Sequence, residues 1–224
     1  MAAFLRIALL GALCLPGLAL GEPQSAAPGE TYRALSSDAQ GSLNNAIAAA
    51  LGDSLQSAVD DFRVGTTGNG SLFYRTEIAA LGATSDGPRD WAQLHGESFC
   101  IAAENPQMVT VAARYGAIAR PYPSSAEALI GLKLGECRVV VEDASLLENI
   151  AELPEWRRFN RLLPRLADAN MQLWVAAKTS ELQEKVDALQ QQWHANGRLQ
   201  ALVQQAIDDV AFQAYVLADT LDCH

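Results

Sequence analysis

Apolar positions along the chain recur with two periods, and the switch between them marks the elements. Leu43, Ile47, Ala50 and Leu51 fall at helical spacing, which predicts a helix stopped by Gly52. Residues 62–64 and 72–81 read as extended, separated by the turn-rich run Gly65-Thr-Thr-Gly-Asn-Gly70. From Asp90 the order is regular. Residues 98–103 form a short apolar run of strand length, residues 108–115 a helix behind Asn105-Pro106, and residues 117–122 a second strand. Ser124-Ser-Ala-Glu127 is a capping box opening a helix that Gly135 closes, and residues 138–141, with three consecutive valines, form a third strand. Strand–helix–strand–helix–strand at this spacing predicts an α/β fold with a parallel sheet flanked by helices, its ligand-facing crevice at the carboxyl ends of the strands. Residues 173–177 read as a further strand. Ser180-Glu-Leu-Gln183 is a second capping box, and Leu182, Val186, Leu189 and Trp193 make one helical stripe. Gly197 breaks it before Leu199, Leu202, Val203, Ala206 and Val210.

The first 21 residues stand apart. Arg6 precedes an apolar run from Ile7 to Leu20, interrupted by Pro16-Gly17 and ending in Ala19-Leu-Gly21. These are the marks of a secretory signal peptide cleaved near Gly21, and they place the mature chain outside the cytoplasm. Cleavage leaves Cys100, Cys137 and Cys223, and thiols outside the cytoplasm tend to pair. Cys100 and Cys137 bracket one strand–helix–strand–helix passage, near the starts of neighbouring parallel strands, so they are the candidate disulfide, with Cys223 the odd thiol.

Composition narrows the function. The 224 residues are 50% hydrophobic and 19% charged, with 16 Lys plus Arg against 26 Asp plus Glu and a net charge of −10. Such a surface repels phosphate backbones and argues against a nucleic-acid partner. His95, His194 and His224 form no metal-ligand pattern, residues 65–70 lack the ending of a phosphate loop, and no nucleophile–base pair is visible. The reading is therefore a non-enzyme with no cofactor, no metal and no catalytic residues. Two side chains remain as ligand contacts. Asp143 stands at the carboxyl end of the valine strand, where it either faces a ligand or caps the helix beginning near Ser145. Asn105 either helps a helix N-terminus hold a polar group or simply caps it.

Several of these stretches resemble one family. Trp91-Ala-Gln-Leu-His-Gly-Glu-Ser-Phe-Cys-Ile101 is similar to the entry into the second lobe of bacterial extracellular solute-binding proteins of family 3. Residues 122–143, Tyr-Pro-Ser-Ser-Ala-Glu-Ala-Leu-Ile-Gly-Leu-Lys-Leu-Gly-Glu-Cys-Arg-Val-Val-Val-Glu-Asp, resemble that lobe's helix–strand passage. Leu173-Trp-Val-Ala-Ala-Lys178 resembles the returning hinge strand, and residues 184–202 the helices after it. The resemblance runs over about residues 61–203. It implies a periplasmic-binding-protein lobe with a reduced helical first lobe: signal peptide 1–21, leader and lobe-one remnant with the first hinge 22–87, α/β lobe two 88–172, and return strand with C-terminal helices 173–224. It implies that Asp143 accepts hydrogen bonds from a ligand ammonium. The function would be to bind an amino acid or similar small polar solute and present it to a membrane permease of an ABC-type uptake system. The chain departs from the pattern too: Cys137 replaces an aspartate, and no arginine matches the first-lobe residue that clamps a ligand carboxylate. These departures support an alternative, a solute-binding scaffold that docks onto a periplasmic protein partner such as a quinoprotein dehydrogenase system.

Overall fold

The computed structural model describes residues 42–66, 68–103, 111 and 114–222. One seven-stranded sheet organises them, with strands β1 (Phe62–Gly65), β2 (Ser71–Gly82), β3 (Ser98–Ala102), β4 (Ile118–Tyr122), β5 (Val139–Asp143), β6 (Arg161–Leu162) and β7 (Leu166–Ala177). Five α-helices are described: α1 (Ser42–Leu55), α2 (Ser125–Lys133), α3 (Ala144–Glu152), α4 (Ser180–Asn196) and α5 (Arg198–Asp222). The strand order is β1-β7-β2-β5-β3-β4, with β6 paired to the end of β2. β5, β3 and β4 are parallel, with α2 between β4 and β5, whereas β1, β7, β2 and β5 pair antiparallel in turn.

The period-two alternation of the central strands divides the side chains between two cores. Ala79, Leu81, Cys100 and Val140 enter one core with α2, α3 and α5. Their neighbours Ile78, Ala80, Phe99, Ile101, Val139 and Val141 enter the other, under Trp91 and Leu94. Every residue of β5 is buried, as a strand covered on both faces requires. A third core gathers Ile47 and Leu51 of α1, Phe62, Phe73, Leu173 and Val175 of the strands, and Val186 and Trp193 of α4. Phe73 meets Trp193 edge-to-face, with centroids 5.8 Å apart and planes at 86°. Among the strands described, β2 and β7, each 12 residues, reach both the third core and the sheet's central cores. Their pairing slips at Leu72/Tyr74 and at Glu77/Ile78, bulges that let the long ribbon twist between the two bodies.

Four expectations need correction. Gly52 does not stop α1, which runs on to Leu55 and gives way at Gln56, a residue with φ 51°. The cap of α4 is Thr179, whose hydroxyl accepts the Leu182 N–H at 3.2 Å; Gln183 instead accepts the Ala177 N–H at 2.8 Å, so no box forms on Ser180. β7 begins at Leu166, ahead of the strand expected over residues 173–177. Cys137 lies in the turn before β5 rather than on the strand. The box at Ser124 keeps its serine half: that hydroxyl accepts the Glu127 N–H at 3.2 Å. Gly197 separates α4 from α5 in a left-handed conformation (φ 76°), where a side chain would be strained.

A disulfide joins Cys100 to Cys137 with Cα atoms 5.7 Å apart, tying mid-β3 to the turn ahead of β5. Gly131 of α2 rides directly over it: a Cβ there would lie 2.9 Å from the Cys100 Sγ and 2.6 Å from the Tyr122 hydroxyl. A bridge closing a loop of this size contributes about 2–4 kcal/mol. The Cys100→Ala, Cys137→Ala double variant should therefore lose about that much in urea unfolding, with a steeper slope because the uncrosslinked unfolded chain exposes more surface. Peptide mapping without reductant that links either cysteine to Cys223 would refute the pairing.

Candidate functional site

The carboxyl ends of the parallel strands deliver a short polar cluster to one place. β4 ends at Tyr122 and leads through Ser124 into α2, and β5 ends in Glu142-Asp143 at the start of α3. The Glu142 carboxylate is 1% exposed. It accepts the Ser125 hydroxyl at 2.8 Å and the Asp143 N–H at 3.1 Å. Asp143 is the N-cap of α3: its Oδ1 accepts the N–H groups of Ser145 (2.7 Å) and Leu146 (3.2 Å) and the Thr76 hydroxyl (3.1 Å). Its Oδ2 accepts the Tyr74 hydroxyl at 2.6 Å. Two donors thus come from a helix end that favours negative charge, and two come across the sheet from β2.

Burial dominates the electrostatics. Loss of water raises the Asp143 carboxyl above its ordinary value, against the opposing pull of its four hydrogen bonds, Tyr74 first. Burial, then the adjacent Asp143 charge, pushes the Tyr74 phenol far up as well, so Tyr74 stays protonated and remains the donor.

The polar cluster borders a cavity of about 100 Å³. Ser124, Ser125, Glu142 and Asp143 form its polar end; Leu43 and Asn44 of α1 and Met171 and Leu173 of β7 form its sides. Its remaining wall is α5, through Val203, Ala206, Ile207 and Val210. Pockets that bury drug-sized ligands run to about 300–1,000 Å³, so this one takes only a compact solute. No Lys or Arg lines it among the described residues, while two carboxylates do. An ammonium has acceptors here, and a ligand carboxylate has no cation.

Sequence reasoning placed Asp143 at this end of the sheet, and the structure gives the residue its capping role together with a place on the cavity wall. Asn105 and Cys223 lie outside the described residues. Glu142, Tyr74, Thr76 and Ser125 were missed. Glu142 had one signal, an acid directly after three valines of a strand covered on both faces, which burial permits only with partners. Tyr74 and Thr76 carried none, because the pairing of β2 with β5 is set by tertiary structure. Among the described residues no group of three His, Cys, Asp or Glu is placed to hold a metal, and no helix is long and apolar enough to cross a membrane.

Solved structures share this architecture. The substrate-binding protein of an amino acid ABC transporter superposes with a TM-score of 0.57 at 13% identity, over 73% of this chain and 86% of that one. An amino acid ABC transporter substrate-binding protein from Streptococcus pneumoniae, bound to L-arginine, gives 0.51 at 18% identity, over 68% and 63%. The cysteine-binding protein from Campylobacter jejuni gives 0.50 at 11%, over 63% and 57%. The fold is that of a periplasmic-binding-protein lobe. The chain spans less than two thirds of the length of the pneumococcal and Campylobacter proteins. No protein-family model matches the chain, and no curated protein matches it in sequence.

The raised Asp143 carboxyl sets a pH dependence with a defined sign. The fold binds the Asp143 proton more tightly than the unfolded chain does, so the associated stability is complete below the ordinary value of 3.8 and is lost as pH rises through the higher folded value. Asp143→Asn mimics the neutral acid and still caps α3. The stability of wild type minus that of Asp143→Asn, from urea unfolding, should fall between pH 4 and neutrality. A difference that grows over that range would mean that the hydrogen bonds outweigh burial.

Proposed function

We propose that this chain is an exported, non-enzymatic solute-binding protein of the periplasm, released by cleavage near Gly21, that presents a small polar solute to the permease of an ABC-type uptake system. The observation that carries this reading is the cavity at the carboxyl end of β5, with buried Glu142 and Asp143 facing solute-sized space between the α/β lobe and the helices packed on it. That the neighbours in fold are amino-acid-binding proteins supports it. In this reading residues 22–87 and 173–224 supply the reduced first lobe and both hinge passages, and residues 88–172 supply lobe two. The cavity restricts the solute to the size of the smallest amino acids and amines.

A second reading has its own support. α5 occupies the cleft, and Asp143 already holds four internal partners. A solute-binding scaffold whose cleft is filled in this way would act through its surface on a periplasmic protein partner, with no transport role.

Thermal shift and calorimetry on the mature protein separate the readings. A solute at a hundredfold excess over Kd stabilises by about 2.7 kcal/mol, or roughly 5–10 °C for a chain of this size. Under the first reading glycine, alanine, cysteine or a small alkylamine gives such a shift, arginine does not, and Glu142→Gln weakens binding about tenfold to a hundredfold. Absence of a shift with every compact solute would reject the transport reading and leave the scaffold.

A further inference from the structure

We propose that the groove between the first half of β2 and the α4–α5 elbow is a second binding site, separate from the cleft cavity, for a small singly charged organic carboxylate bearing hydroxyl or amide groups. The groove has a volume of about 860 Å³, within the range of about 300–1,000 Å³ typical of ligand sites. It shares Val203 and Ile207 with the cleft cavity, so these two α5 side chains form the partition between them.

Its lining is polar and specific in composition. Arg75 is its one Lys or Arg among the described residues, and Arg75 has no hydrogen-bond or ion-pair partner there. The acids around the next arginine along this face are already engaged: Arg165 binds Glu77 at 3.2 Å and also Glu148. The groove's own acid, Asp187, accepts hydrogen bonds from Ser71 and from Gln183 at the seam between α4 and β2. The groove is also lined by Asn149, Gln190, Gln200 and Gln204. Three of these are held in place: Asn149 donates to the Ser145 carbonyl at 2.8 Å, Gln190 to the Leu72 carbonyl at 2.9 Å, and Gln204 to Asp208 at 3.0 Å.

That set selects a ligand class. A guanidinium presents parallel N–H donors that match a carboxylate in bidentate fashion. Side-chain amides both donate and accept, which suits hydroxyls and amides rather than hydrocarbon. One guanidinium on a chain of net charge −10 balances one negative charge, not the two of a phosphate dianion.

Arg75 is exposed, so its substitution leaves the cores intact. Calorimetry on the full mature chain uses D-gluconate and N-acetylglycinate as probes, with glucose and inorganic phosphate as comparisons. One of the two carboxylates should bind at millimolar concentration or better. Arg75→Gln should weaken it about tenfold to a hundredfold, as loss of a charged hydrogen-bonded contact does, and Arg75→Lys should fall between. Glu142→Gln should leave it unchanged, which separates this groove from the cleft cavity. Equal affinity in Arg75→Gln, no binding of either carboxylate, or equal binding of glucose or phosphate would each overturn the proposal.

Discussion

Helix α5 lies in two hydrophobic cores at once. Its first turns put Leu199 and Leu202 among Phe73, Trp193 and Val186, in the core built on α1, β1 and α4. Its later turns put Ile207, Ala214 and Leu217 against Leu129, Leu132, Leu147 and Val140, in the core of the α/β lobe. Burial of a large aliphatic side chain contributes about 1.5–3 kcal/mol, so the four leucine and isoleucine contacts together rival the 5–15 kcal/mol that separates a folded domain from its unfolded chain. One helix thus spans both bodies, and the long strands β2 and β7 hold them in one sheet. The helix also sets the cleft's dimensions. The wall it contributes reduces the crevice to a compact cavity and divides it from the broader groove beside Arg75.

The polar end of that cleft follows from the same packing. A strand buried on both faces and ending in Glu142-Asp143 brings two carboxylates into a region with little water, and each is retained because local donors meet it. Asp143 is met by the first turn of α3 and by Tyr74 and Thr76 across the sheet; Glu142 is met by Ser125 at the mouth of α2. The arrangement fixes the junction of β2, β5 and two helix N-termini. It sets two carboxylates beside a cavity that no Lys or Arg lines among the described residues, which favours an ammonium over a bare carboxylate there.

Much of this was legible in the sequence where the signal is local. The three valines of β5, the Ser124 cap and the Gly197 break each report a backbone preference, and each coincides with an element boundary or a buried strand. Gly52 misled, because a glycine inside a helix costs only about 1 kcal/mol and packing of Ile47 and Leu51 carries α1 past it. The extra half of β7, residues 166–172, did carry a signal, since Asp168, Asn170 and Gln172 alternate with Ala169, Met171 and Leu173 at the period of a half-buried strand. Its strand conformation comes from pairing with β2, a partner nearly a hundred residues away in the chain. Tyr74 and Arg75 were silent: their roles depend on which helix lies over them, and no local pattern encodes that. The sequence order was enough for the α/β lobe. It could not show that α5 crosses the cleft.

Native-state hydrogen exchange of the mature protein, resolved by residue, tests that crossing most directly. If α5 closes the cleft as an integral part of both cores, amides of residues 203–217 exchange through the same high-energy opening as those of β5, residues 139–143. Exchange of α5 at close to the rate of an unprotected helix, while β5 remains protected, would show that the helix is detached from the lobe and the cleft is open.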